Sequence, residues 1–164
     1  MKHASVGIAL STIAFALVFA ALATDALGGA CDGRLHRALP DGSSLTAGAD
    51  AQFGLSDDLT LNVNRGVVRV AGGKLSETTP VVIGTPSSTL TLRGGVAIVS
   101  VTPTSTIAIL ESGFGSEMKV VANGQTQSVS RPGWQITTHA GKPPGAPVQT
   151  PSGSLSMEIA QLPE

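Results

Sequence analysis

Between Val81 and Val101 the chain sets down three short β-like runs and separates them with residues that cannot continue a strand. The runs are Val81–Ile83, Thr89–Leu92 and Val96–Val101, and the breaks are Gly84-Thr85-Pro86 and Arg93-Gly94-Gly95. In the second run, alternation puts Leu90 and Leu92 on one face and Thr89, Thr91 and Arg93 on the other. The third run, Val-Ala-Ile-Val-Ser-Val, is almost wholly apolar and suits a strand buried on both faces. A chain punctuated this often has no room for long helices.

The same grammar extends outward. Leu59, Leu61 and Val63 alternate with Thr60, Asn62 and Asn64, and Arg65-Gly66 then reads as a turn into Val67–Val70. Three Thr-Pro pairs, at Thr79-Pro80, Thr85-Pro86 and Thr102-Pro103, push each threonine into an extended conformation and read as corners. Asn123-Gly124 is a strong hairpin signal and joins Lys119–Ala122 to Gln125–Val129. Strand centres fall near 61, 69, 82, 91, 98, 108, 119, 128 and 135, with no convincing helix after residue 24. The expected fold is therefore a single all-β domain of short strands. The repeated corners favour a solenoid-like β-roll, with a β-sandwich or barrel as the alternative.

Composition supports this and removes some functions. Charged residues make up 13% of the 164 residues, about half the usual share, so helices with charged outer faces are a poor fit. The formal net charge is −1 and no basic patch stands out, which argues against nucleic acid. Beyond residue 23 the aromatics are Phe53, Phe114 and Trp134, and core packing is the expected use of each.

The N-terminus reads as an address. Met1-Lys2-His3 precedes an apolar run from Val6 to Ala23 that ends in Ala21-Leu22-Ala23, an A-x-A cleavage pattern. A secretory signal peptide over residues 1–23, cleaved after Ala23 or alternatively after Ala26, is expected. Two other fates stay open. The run is just long enough for an uncleaved membrane anchor. Gly29-Ala30 before Cys31, the single cysteine, suits lipid attachment, although Gly28 stands where a lipoprotein signal has an apolar residue. Residues 24–40 form a lead-in segment and 41–138 the β-domain. Residues 139–164, with Pro143-Pro144, Pro147 and Pro151, read as a Gly/Pro-rich C-terminal tail, with Ser154–Gln161 as a last short strand or a fraying end.

Leu59–Val70, then Pro80–Pro86, then Leu92-Arg-Gly-Gly-Val-Ala-Ile-Val99, and finally Arg131-Pro-Gly-Trp134 resemble the FecR-type periplasmic domain of Gram-negative bacteria. The resemblance spans about residues 41–138 and carries no catalytic residue. Its best-known members are transmembrane anti-sigma regulators with a cytoplasmic sigma-binding segment. Only Met1–Ser5 precedes the apolar run here, so the resemblance implies an exported β-domain for protein contacts or signalling rather than that full architecture.

Chemistry finds little to work with. The histidines are His3, His36 and His139, and no His-x-x-x-His, Cys-x-x-Cys or dense Asp/Asn motif accompanies them, so no metal or cofactor is expected. Asp57-Asp58 reads as a solvated turn. No Gly-x-Ser-x-Gly elbow occurs, and the one carboxylate pair near strand ends, Glu111 and Glu117, reads as surface. No catalytic residue is expected. Arg93-Gly94-Gly95 is expected to be a corner whose glycines permit positive φ, with Arg93 pointing outward, where it can meet a partner's carboxylate. The expected function is a non-enzymatic exported domain contacting an envelope or periplasmic protein, with membrane association only through the signal segment or a lipid at Cys31. The alternative is an envelope structural or glycan-associated module.

Overall fold

A computed structural model describes residues 35–39, 41–56 and 60–162. Twelve strands run in chain order: β1 (Leu35–Ala38), β2 (Ser44–Ala47), β3 (Gln52–Leu55), β4 (Leu61–Ala71), β5 (Val81–Gly84), β6 (Thr89–Arg93), β7 (Val96–Val101), β8 (Ser105–Ser112), β9 (Glu117–Ala122), β10 (Gln125–Val129), β11 (Trp134–His139) and β12 (Val148–Gln149). The chain is all-β, as its punctuation requires. One curled, open sheet follows the order β10-β9-β6-β5-β4-β7-β8-β11-β12, with β2 and β3 also paired to β4, and β1 to β2. It curls as a roll does, yet its neighbours are antiparallel as in a barrel wall, apart from one short parallel contact of β4 with β5 at Leu61↔Ile83 and Asn62↔Gly84.

β4 holds the two walls together. Its first half pairs with β3 and β5 in one wall, and from Gly66 onward it pairs with β7 and β2 in the other. Arg65-Gly66 is thus not the turn that its sequence suggested but the point where a continuous strand changes walls. Gly66 has φ +92, and a Cβ there would lie 2.5 Å from the Ala51 Cα, so only glycine allows this crossing.

The inner faces of both walls form the main core. Leu61, Val63, Leu90, Leu92, Met118 and Val120 come from one wall, and Val68, Val70, Val99, Leu110 and Ile136 from the other. Burying each such side chain contributes roughly 1.5–3 kcal/mol. β7 is buried on both faces, as its apolar run requires. Ala97, Val99 and Val101 face inward, while Ile98 joins a second cluster with Val67, Ile109 and Leu162 on the outer face. Arg69 and Glu111 flank this outer cluster with a two-pronged ion pair: Nε donates to Oε2 at 2.7 Å and Nη2 to Oε1 at 3.3 Å.

Leu162 belongs to the segment expected to be a Gly/Pro-rich tail. That segment folds back instead. β12 pairs with β11 at Trp134↔Gln149, the Gly145 N–H donates to the Thr137 carbonyl at 2.9 Å, and a helix, α1 (Ser154–Ala160), follows. Leu155 and Leu162 cap the outer cluster. Among the described residues two helical pieces therefore exist where none was expected: α1 and a 3₁₀ turn over Lys74–Glu77. Both are too short for a periodic apolar pattern to show.

Two of the Thr-Pro corners are copies of one turn. In Thr85-Pro86-Ser87-Ser88 the Thr85 N–H donates to the Ser88 carbonyl at 2.8 Å, and the Ser88 N–H donates back to Thr85 Oγ1 at 3.0 Å. In Thr102-Pro103-Thr104-Ser105 the matching distances are 2.8 and 3.0 Å. Proline presets φ at the second position and the threonine hydroxyl replaces a backbone acceptor. The first turn closes the β5–β6 hairpin in one wall, and the second closes β7–β8 in the other. Thr106 beside the second turn donates to Thr85 Oγ1 at 2.9 Å and lies 2.7 Å from Ser87 Oγ, so hydroxyls tie the walls together at this end. Thr79-Pro80 differs: it leads out of the 3₁₀ turn, the Thr79 N–H donating to the Leu75 carbonyl at 2.7 Å.

Candidate partner-contact site

At the other end of these strands, glycine does the work that hydroxyls do at the first. Arg93 is the last residue of β6, and Gly94-Gly95 carry the chain from β6 in one wall to β7 in the other. Their φ values are +62 and +71. A Cβ on Gly95 would lie 2.5 Å from the Ser112 carbonyl oxygen and 2.7 Å from the Ser116 Cβ. Gly113, φ +131, packs against this corner so closely that its own Cβ would be 2.5 Å from the Gly95 Cα. The buried Ser116 closes the facing loop by donating to the Gly113 carbonyl at 2.8 Å. Backbone thus meets backbone at this corner, and Phe114 stands outside it.

Phe114 is fully exposed. Core packing had been the expectation for all three aromatics. It holds for Phe53 and Trp134, which pack against the main core, Trp134 with the Arg131 guanidinium 5.8 Å from its ring centre. For Phe114 it fails: the glycine loop over 112–116 forms, and its ring stands outside the core. An open cleft of about 320 Å³ lies between the two loops, lined by Arg93, Phe114, Gly115, Ser116 and Glu77 of the 3₁₀ turn. Arg93 also borders a smaller depression of about 80 Å³ with Pro80, Thr91, Glu117 and Lys119.

Arg93 is the charged group best placed to act. It is exposed, and its cross-strand neighbour Glu117 has its carboxylate 3.4 Å from Lys119 Nζ. Among the described residues the ion pairs are Arg69–Glu111 and Glu117–Lys119, so Arg93 has no carboxylate within ion-pair distance. A free guanidinium beside an exposed aromatic ring can grip a carboxylate in a two-pronged contact while the ring covers apolar surface.

The remaining candidates do not assemble into a site. Glu111 and Glu117 belong to different walls, and each has its own cation. His36 Nδ1 lies 3.0 Å from Thr46 Oγ1 in a cross-strand pair, with no third group among the described residues to orient the ring, and His139 ends β11 far along the chain, exposed. Among the described residues no three His, Cys, Asp or Glu side chains are grouped to hold a metal ion. Also among them, no helix is long and apolar enough to cross a membrane. Ala23, Cys31 and Asp57-Asp58 lie outside the described residues. The sequence pointed to Arg93 but not to Phe114 or Glu77. Gly113-Phe114-Gly115 reads as a glycine loop in the sequence, and the exposure of its aromatic was the inference left undrawn.

No family model matches the chain, and no curated protein matches it. Solved structures do. Two crystal structures of a candidate anti-sigma factor from Parabacteroides distasonis share the fold, with TM-scores of 0.61 and 0.59 at 12% and 14% identity. Each alignment covers 77% of this chain and 60% of the other, so this chain spans about three fifths of those longer proteins. At such identity the likeness is one of fold.

Proposed function

We propose that this chain is an exported, non-enzymatic domain of FecR type that captures a protein partner in the bacterial envelope through its Arg93–Phe114 end. One observation carries the proposal: an unpaired guanidinium and a fully exposed phenylalanine line one open cleft, beside a corner where Gly95 and Gly113 pack backbone against backbone. A soluble protein gains nothing in stability from such an arrangement, whereas an interface uses both groups as anchors. The shared fold with a candidate anti-sigma factor supports a regulatory role. The A-x-A pattern ending at Ala23 supports export to the periplasm. Gly29-Ala30-Cys31 supports a second form of the same role, in which a lipid on Cys31 keeps the domain at the membrane as an envelope module.

Affinity capture from periplasmic extract with the full chain tests the proposal. The wild type retains a specific protein, and Arg93→Ala and Phe114→Ala each lose most of it with unchanged thermal melting. Equal capture by all three proteins would overturn the site. A product starting at Thr24 is the expected mature N-terminus. An intact Met1 in the membrane fraction would overturn the cleavage and leave the segment as an anchor.

A further inference from the structure

We propose that β10 is the seam of a symmetric dimer, in which two copies of this chain join their sheets edge to edge. Edge strands usually carry a device against such pairing: charge, proline, a bulge or shortness. Among the described residues the other free edges have one. β12 is two residues long, β1 carries His36 and Arg37, and β3 breaks register between Gln52 and Phe53. β10, Gln125-Thr-Gln-Ser-Val129, has no charge and no proline, and its five pairs with β9 run without a shift.

Its hydrogen-bonding groups are arranged for a second copy. Asn123 and Gly124, with φ +47 and +71, form a two-residue turn of the mirror-image type. Such a turn makes Ala122 and Gln125 a hydrogen-bonded pair, so Gln125, Gln127 and Val129 direct their backbone groups to β9. Thr126 and Ser128 then direct theirs away from the sheet, and no backbone partner for either occurs among the described residues. A two-fold axis beside Gln127 sets Thr126 opposite Ser128 of the second copy, and Ser128 opposite its Thr126. Both outward residues are satisfied at once. Any other centre sets one of them against a residue outside β10.

The side chains agree with this register. On the outer face, the row Lys119–Ser128 continues into Thr126 and Val121 of the second copy, so the two lysines fall in different rows. On the inner face, Val120–Gln127 meets its own copy, amide against amide, and the half-buried Gln127 gains a donor and an acceptor. The seam is short and the dimer correspondingly weak, forming in the micromolar to millimolar range. It places two copies of β6, and hence of Arg93, on one continuous sheet.

Sedimentation equilibrium tests the seam. The wild type is expected to show a concentration-dependent monomer–dimer equilibrium. Thr126→Pro, which removes an N–H that β9 does not use, weakens dimerisation at least tenfold with the thermal melt retained. Thr126→Lys, which sets two like charges diagonally across the seam, provides the same loss should the proline variant fail to fold. In a Cys31→Ala background, Gln127→Cys crosslinks to its copy on mild oxidation, because facing residues of a non-hydrogen-bonded pair are within disulfide reach. Ser128→Cys, displaced from its own copy, does not. A monomeric wild type up to about 1 mM, dimers that persist in both Thr126 variants, or a faster crosslink from Ser128→Cys would each overturn the proposal.

Discussion

The strands β5 to β8 are closed at their two ends by opposite means. At one end, two Thr-Pro-x-Ser turns bind their own backbone through threonine hydroxyls, and Thr106 joins them across the walls. At the other, Gly94-Gly95 and Gly113 bring backbone against backbone and leave the side chains of Arg93 and Phe114 outside. The first end consumes its polar groups internally and offers a partner little. The second holds its backbone without using side chains, so those side chains are free to bind. Rigidity comes from hydrogen bonds in one case and from close packing in the other.

Substitutions should separate the two. Gly95→Val has the largest expected effect. It combines a left-handed backbone, roughly 1–2 kcal/mol, with overpacking against Ser112 and Ser116, roughly 1–3 kcal/mol, for a loss of about 3 kcal/mol in urea unfolding. Gly124→Ala, also left-handed but with nothing within 4 Å of the new Cβ, should lose only about 1–2 kcal/mol. Thr85→Val comes next. It keeps the side-chain shape but removes a part-buried hydroxyl bonded to Ser88 and Thr106, for about 1–2 kcal/mol. Thr102→Val makes the same change where the turn is exposed and water can replace the lost bonds, so about 0.5 kcal/mol is expected. Equal losses in the two threonine variants would show that the link between walls through Thr106 contributes nothing. Phe114→Ala should be silent in stability, within about 0.5 kcal/mol, because its ring touches no core. A clear destabilisation there would make Phe114 a packing residue and remove the binding role.

Much of this was written locally and could be read locally. β5, β6, β7 and the Asn123-Gly124 hairpin follow from alternation and turn chemistry confined to a few residues, and they stand where the pattern puts them. Arg93 on its glycine corner was legible for the same reason. What escaped depended on distant partners. Gly66 looks like any turn glycine until Ala51 is seen against it. The segment after His139 has no periodicity, and Leu162 becomes a core residue only because β4, β7 and β8 leave Val67, Ile98 and Ile109 uncovered on their outer face. The cleft unites residues 77, 93 and 114 from a 3₁₀ turn, the end of β6 and a loop, and no spacing in the chain announces that.

Site-specific photocrosslinking in the living cell tests the division between the two ends most directly. A photoreactive phenylalanine analogue placed at position 114 should give a discrete adduct with another protein. The same analogue at Thr104, in the exposed Thr-Pro turn at the far end, should give none. Adducts of the same size at both positions, or an adduct at Thr104 alone, would contradict the assignment of the glycine-built end as the binding face.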